Sequence, residues 1–149
     1  MLQLTRTEPN NPDFINLIKQ LDAYLAITDG EEHAFYNQYN KTDQLAHVIV
    51  AYENQEPVSC GAMKEFDADA VEIKRMYTIP SYRGIGVAGK VLKGLESWAQ
   101  ELGYQRCVLE TGKRQTEALA FYPRRGYKII PNYGQYALMQ NSVCFEKVL

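Results

Sequence analysis

An α+β fold is predicted for this chain, with a mixed, mostly antiparallel twisted sheet of six or seven strands flanked by about four helices. Three observations carry that reading. Leu45 to Tyr52 and Val58 to Phe66 are apolar, β-branched runs on either side of Glu53-Asn54-Gln55-Glu56, the pattern of an antiparallel hairpin. Val71 to Ile79 reads as a central strand, followed by the tight turn Arg83-Gly84-Ile85-Gly86-Val87-Ala88 and a helix running to Leu102. Arg106 to Thr111 then returns as a buried strand, which the right-handed crossover rule places parallel to the central one. The sheet is thus parallel only where these two strands meet, and the crevice beyond their carboxyl ends is where ligands bind in open sheets of this kind.

In chain order, Leu2 to Thr7 alternates as a half-buried strand and ends at Glu8-Pro9-Asn10-Asn11-Pro12. Asn11 caps a helix whose first position suits Pro12, and Phe14, Leu17, Ile18, Leu21 and Leu25 recur at helical spacing. After Thr28-Asp29-Gly30, Glu31 to Asn40 is expected to form a second short helix carrying His33, Phe35, Tyr36, Asn37 and Tyr39. Asp67-Ala68-Asp69 turns the chain into the central strand, where period-two alternation puts Glu72, Lys74 and Met76 on one face. The helix after the glycine turn is expected to bury Val87, Val91, Leu92, Leu95, Trp98, Ala99 and Leu102 and to stop at Gly103. A last helix starts at Gln115 or Thr116, presents Ala118, Leu119, Phe121 and Tyr122, and ends at Gly126, with Pro123 expected to kink it. Tyr127 to Ile130 and Ser142 to Val148 complete the strands, joined through Pro131 to Tyr136.

The 149 residues carry a formal charge of −2 and are 46% hydrophobic with no low-complexity run, as expected of one globular domain spanning 1–149. Nothing in that charge favours a nucleic-acid backbone or an anionic membrane as partner, so a small molecule or peptide is expected. Cys60, Cys107 and Cys144 are odd in number, widely spaced and set in apolar runs, which reads as reduced core cysteines of a cytoplasmic protein. Met1 to Glu8 lacks an apolar signal region, and no run of apolar residues is long enough to span a bilayer. No carboxylate, thiol or histidine spacing implies a metal. The tyrosine and valine content towards the last strand would permit a homodimer.

Two glycines directly after a strand and before a helix let backbone N–H groups approach an anion closely, which makes the turn a phosphate cradle. It is not a P-loop, because Gly-Lys-Ser/Thr is missing. Gly84, Gly86 and Gly89 fit the dinucleotide spacing, yet Glu110, the acidic residue nearest the required distance, follows a whole helix. The stretch from Lys74 to Ala88, with Arg83, Gly86 and Ala88 at its signature positions, resembles the acetyl-CoA motif of the GNAT-type N-acetyltransferases. Ala120-Phe121-Tyr122 and Gly126-Tyr127 are similar to that family too, and the likeness is clear from Leu45 to Ile130.

The resemblance implies acetyl-CoA as co-substrate, held by Met76, Tyr77, Thr78, Arg83, Gly84, Ile85, Gly86, Val87 and Ala88, with main-chain groups near Met76 and Thr78 pairing with pantetheine. It implies Tyr122 as the acid that protonates the leaving thiolate and Glu72 as the base, a water chain being the alternative. His33, Tyr36, Asn37, Tyr133 and Tyr136 fall in the segments that flank the acceptor in such proteins. The reaction implied is direct acetylation of a primary amine of a small molecule or peptide. A lysine-like amine of pKa ~10.4 is neutral roughly once in 2,500 molecules at pH 7, a penalty of about 4–5 kcal/mol, so a base matters most for that class. A cysteine nucleophile is disfavoured because no thiol has a histidine beside it. The rival reading is a non-catalytic acyl-CoA-binding or regulatory module of the same fold, which would need only the cradle; a third is another nucleotide-phosphate binder.

Overall fold

The computed structural model describes residues 1–32, Ala34, Tyr36, Leu45 and 47–149. Its strands are β1 Leu2–Thr7, β2 His47–Glu53, β3 Glu56–Asp67, β4 Ala70–Thr78, β5 Arg106–Gly112, β6 Lys128–Ile130 and β7 Ser142–Val148. They form one seven-stranded sheet in the order β1-β2-β3-β4-β5-β7-β6. Every neighbouring pair is antiparallel except β4 and β5. The α-helices among the described residues are α1 Pro12–Thr28, α2 Val87–Glu101 and α3 Thr116–Phe121, three against the four expected. The fourth, Glu31 to Asn40, lies mostly outside the described residues; Gly30–Glu32 is a 3-10 turn.

The hairpin forms where the sequence places it. Asn54 and Gln55 both take positive φ, 51° and 70°, as a two-residue turn matching the strand twist requires, and so hold Glu53 opposite Glu56. Asn11 caps α1 by accepting hydrogen bonds from the N–H groups of Asp13 and Phe14 at 2.8 and 3.2 Å. Phe14, Leu17 and Ile18 of α1 then cover one sheet face, against Val48, Val50, Cys60 and Ala62. The other face is covered by Val91, Leu92, Leu95 and Ala99 of α2, against Ile49, Met63, Ile73 and Leu109.

Two residues expected inside α2 are not buried. Leu102 is 46% exposed, and Trp98 is half-buried, its ring edge-on to His47 at 4.7 Å with the Arg6 guanidinium 4.9 Å above it. The stripe that meets the sheet runs through positions 91, 95 and 99, and one helical turn carries 98 and 102 past its edge. Glu96 takes a buried place instead, accepting from the Tyr127 hydroxyl at 2.8 Å and pairing with Lys147 Nζ at 3.0 Å.

β4 breaks the expected alternation. Cys60 pairs with Tyr77 but Ala62 pairs with Lys74, so β4 carries one extra residue, and Arg75 sits there at φ 60°. A bulge of this kind turns the following side chains over. Glu72 and Lys74 share a face, whereas Met76 crosses to the α2 side, into the space left by the missing side chain of Gly61 and beside Leu95. Arg75 and Tyr77 face α1 instead, the guanidinium 2.8 Å from Asp22 and the phenol 3.2 Å from Gln20.

β4 and β5 pair only at Ala70 with Arg106, Val71 with Cys107 and Glu72 with Val108. Beyond Glu72 the strands separate, β4 continuing on β3 and β5 on β7. This splay leaves the β5-facing edge of β4 without a strand partner among the described residues from Ile73 onward and opens a wedge into the sheet.

Candidate active site

Two adjoining hollows fill the wedge. An outer cleft of about 540 Å³ runs between the end of β4, the glycine turn, the start of α2 and α3. An inner cavity of about 140 Å³ lies between β4 and β5, roofed by the end of α1. Met76, Gln115, Ala118 and Tyr122 line both, so the two meet at that wall.

The start of α2 gives the outer cleft a positive wall. Gly84 and Gly86 have φ of 79° and 88°, and Gly86 is the residue that begins α2. The N–H groups of Val87, Ala88 and Gly89 have no acceptor within their own helix, and the helix dipole adds positive potential there. Arg83 fixes the turn by donating from Nε to the Thr78 carbonyl at 2.8 Å, with its guanidinium 5.5 Å from the Tyr77 ring. Ile85 points outward, 66% exposed, so only its main chain belongs to the turn. Across the cleft, Arg125 stacks 3.9 Å over Phe121 and lies so close to α2 that a side chain at Gly89 would meet its Nη2 at 2.8 Å. Arg124 lines the same cleft. These two arginines were not singled out from sequence; they lie on the 3-10 turn Pro123–Arg125 that follows α3, and only the tertiary fold sets that turn beside the start of α2.

Open space surrounds the Cβ positions of Gly84 and Gly86, so glycine is needed there for backbone conformation rather than for room. Gly86→Val should therefore leave the sheet intact but pull the turn out of shape, at a backbone cost of about 1–3 kcal/mol. The measurement is acetyl-CoA affinity by calorimetry, expected to fall tenfold or more; an unchanged Kd would remove the turn from the binding site.

The inner cavity gathers ionisable groups. Glu72 is 3% exposed and accepts a 2.7 Å hydrogen bond from the Tyr133 hydroxyl, with Lys74 Nζ at 3.9 Å and Lys64 Nζ at 4.0 Å. Burial lowers the pKa of Lys74, although Glu72 opposes the shift. Glu110, on the opposing arm, is pushed up to about 7, chiefly by burial. Tyr36 and Tyr136 stack at 6.3 Å, and the Tyr36 hydroxyl is 2.9 Å from that of Ser142. Of the expected acceptor-side residues, the structure thus brings Tyr36 and Tyr136 to the cavity wall and Tyr133 onto Glu72, while His33 and Asn37 lie outside the described residues.

Tyr122 stands at the boundary between the hollows. It is 7% exposed, and burial raises its pKa, so the phenol keeps its proton at neutral pH. Pro123 does not kink a continuous helix: α3 ends at Phe121 and Pro123 opens a separate 3-10 turn, where no intrahelical N–H is required of it. Gly126 closes that turn at φ 90°. The cysteines are buried and free, and burial pushes Cys60 and Cys107 up to about 12 and Cys144 up to about 11, which disfavours any thiolate nucleophile.

A splayed parallel strand pair thus lies beside a glycine-started helix, with a cleft at the helix start that opens onto an inner cavity. Residues 13–127 match the model of the acetyltransferase (GNAT) family, and the chain belongs to that family. It is an acetyltransferase of the GNAT fold. The Escherichia coli protein named N-acetyltransferase YjgM is 30% identical over 135 residues, 83% of this chain and 80% of its own length. The IAA acetyltransferase of Azospirillum brasilense is 27% identical over 148 residues, 98% of this chain and 97% of its own. Among solved structures, a Klebsiella pneumoniae protein named as an acyl-CoA N-acyltransferase superposes with a TM-score of 0.84 at 31% identity, over 100% of this chain and 98% of that one. A GNAT protein from Elizabethkingia anophelis, solved with acetyl-CoA bound, shares the fold at a TM-score of 0.72 and 18% identity, over 99% and 98% of the two chains.

Proposed function

We propose that the protein transfers an acetyl group from acetyl-CoA directly to a primary amine of a small molecule or peptide. The observation that carries this reading is the position of Tyr122, shared by the anion-binding cleft and the buried ionisable cavity. In this reading the pyrophosphate lies on the start of α2 between Arg83 and Arg125, and the pantetheine arm follows the unpaired edge of β4. The thioester then reaches the wall formed by Met76 and Tyr122. The amine enters the inner cavity, loses a proton to a carboxylate there, and attacks the thioester carbonyl. The C–N bond forms, the C–S bond breaks, and the CoA sulfur takes a proton from Tyr122. Glu72 is the carboxylate singled out from sequence.

A thiol of pKa ~8.5 is already a tolerable leaving group, so loss of the acid should cost less than loss of the base. The test is release of free CoA thiol from acetyl-CoA with a panel of polyamines, amino acids, aminoglycosides and short peptides, run beside Tyr122→Phe. The expected result is release with one amine class, reduced about 10- to 100-fold in the variant with acetyl-CoA affinity unchanged. Full activity in Tyr122→Phe would remove the acid role. Saturable acetyl-CoA binding with no release by any amine would favour the non-catalytic module instead.

A further inference from the structure

We propose that Glu110, rather than Glu72, is the group that takes the proton from the acceptor amine, while Glu72 holds that amine in place. This rests on the inner cavity being the acceptor site. The two carboxylates differ in position along the wedge. Glu72 sits at its apex, where it still pairs with Val108. Glu110 lies two residues further along β5, with its side chain on the same face as that of Val108 and nearer the end where the strands open towards Met76 and Tyr122.

The two carboxylates differ also in the partners they already have. Glu72 is held by the Tyr133 hydroxyl and faces two ammonium groups. Glu110 has Ser142 beside its carboxyl, but its Oε2 is buried without a hydrogen-bond partner among the described residues. A buried polar atom left unsatisfied is uncommon, and the atoms of this kind among the described residues belong to Arg75, Glu110 and Thr111, all of which line this one cavity. An ammonium entering there would satisfy Glu110 Oε2 and present the proton to be removed.

The groups around Glu110 suit that task. From β4 it faces Glu72 and Lys74, from the end of α1 Asp29, and from beyond it Tyr36. β7 presents Ser142 and Cys144, and the segment before β7 presents Tyr136 with Tyr133 behind it. Burial dominates this balance and brings the carboxyl to about 7, where a base is half-ionised at neutral pH and still basic enough to accept a proton. The step balances simply. The ammonium gives one proton to the Glu110 carboxylate, and the freed lone pair forms the C–N bond as the C–S bond breaks. The amide nitrogen's second proton replaces the one that Tyr122 gives to sulfur, and Glu110 later releases its proton to solvent.

The experiment is the pH profile of kcat/KM for thiol release with the most active panel amine, for the wild type, Glu110→Gln and Glu72→Gln. In the wild type, activity should rise through an acid limb centred near 7. Glu110→Gln should abolish that limb and lower kcat about 100-fold or more at pH 8 with acetyl-CoA affinity retained, while Glu72→Gln should mainly raise KM and keep the limb. A limb near 7 that persists in Glu110→Gln, or activity within about threefold of wild type, overturns the assignment. If Glu110→Gln does not fold, or no amine turns over, 13C NMR of glutamate-labelled wild type decides. A carboxyl titrating near 7 that shifts when panel amines are added supports the assignment; the absence of one overturns it. Failure of every amine to react, with that carboxyl present and unresponsive to amines, would strike the acceptor-site reading itself.

Discussion

Glu110→Gln is expected to make the protein more stable above pH 7, by at most about 3 kcal/mol, even as it loses activity. The folded-state pKa of Glu110 is raised from 4.5 to about 7, chiefly by burial. A raised carboxyl pKa means that the unfolded chain gives up this proton first as pH increases. Between about 4.5 and 7 the unfolded state therefore binds fewer protons than the native one, and native stability falls through that window. Above it the penalty is constant. Glutamine does not titrate, so the two proteins should differ little at pH 4 and diverge as pH rises to 7. Urea unfolding at pH 4, 6 and 8 measures this, and a wild-type stability that rises across the window relative to the variant would contradict the buried-acid description. The expected gain is the stability that the fold gives up by keeping a carboxyl in the cavity.

Asp22→Ala should be among the most destabilising surface substitutions, costing about 3 kcal/mol. Its carboxylate is 44% exposed, but the partner guanidinium of Arg75 is only 2% exposed and donates a 2.8 Å hydrogen bond to it. Nε and Nη1 of the same guanidinium already lack partners among the described residues, so removing Asp22 leaves a buried charge with none of its described hydrogen bonds. For a chain of this size the loss corresponds to a fall in Tm of about 6–12 °C. Removing the charge as well, in Asp22→Ala with Arg75→Met, should recover most of it, because a buried ion pair is often replaced by apolar residues at little cost. Thermal unfolding of the single and double variants checks this. A single-variant loss below about 1 kcal/mol would mean that water reaches the guanidinium. The pair matters to the site because it ties the β4 bulge to α1, and the bulge decides which side chains face the cavity.

Much of the architecture was legible because it rests on local chemistry. The Asn11-Pro12 helix start, the Asn54-Gln55 turn and the strand-glycine-helix order around Gly86 are each decided by a few neighbouring residues, and the structure has them. Glu96 and Trp98 show the limit of that approach. Periodicity ranks α2 positions by hydrophobicity, but the sheet beneath places Tyr127 and Lys147 where Glu96 can be satisfied, and Trp98 is left at the margin. The shared face expected for Glu72, Lys74 and Met76 failed for a related reason. A one-residue bulge reverses every side chain after it, and nothing between Lys74 and Met76 announces it except the small residue opposite, Gly61.

By itself the sequence determined the family and the glycine turn at the start of α2, because each rests on contiguous motifs whose chemistry depends on near neighbours. Only the tertiary structure decided that β4 and β5 part after Glu72, that Arg124 and Arg125 face the turn, and that Glu110 is a buried acid near neutrality. Those properties come from groups far apart in the chain: α1 and the segment before β7 close over Glu110 and remove the water that would otherwise keep its carboxylate charged.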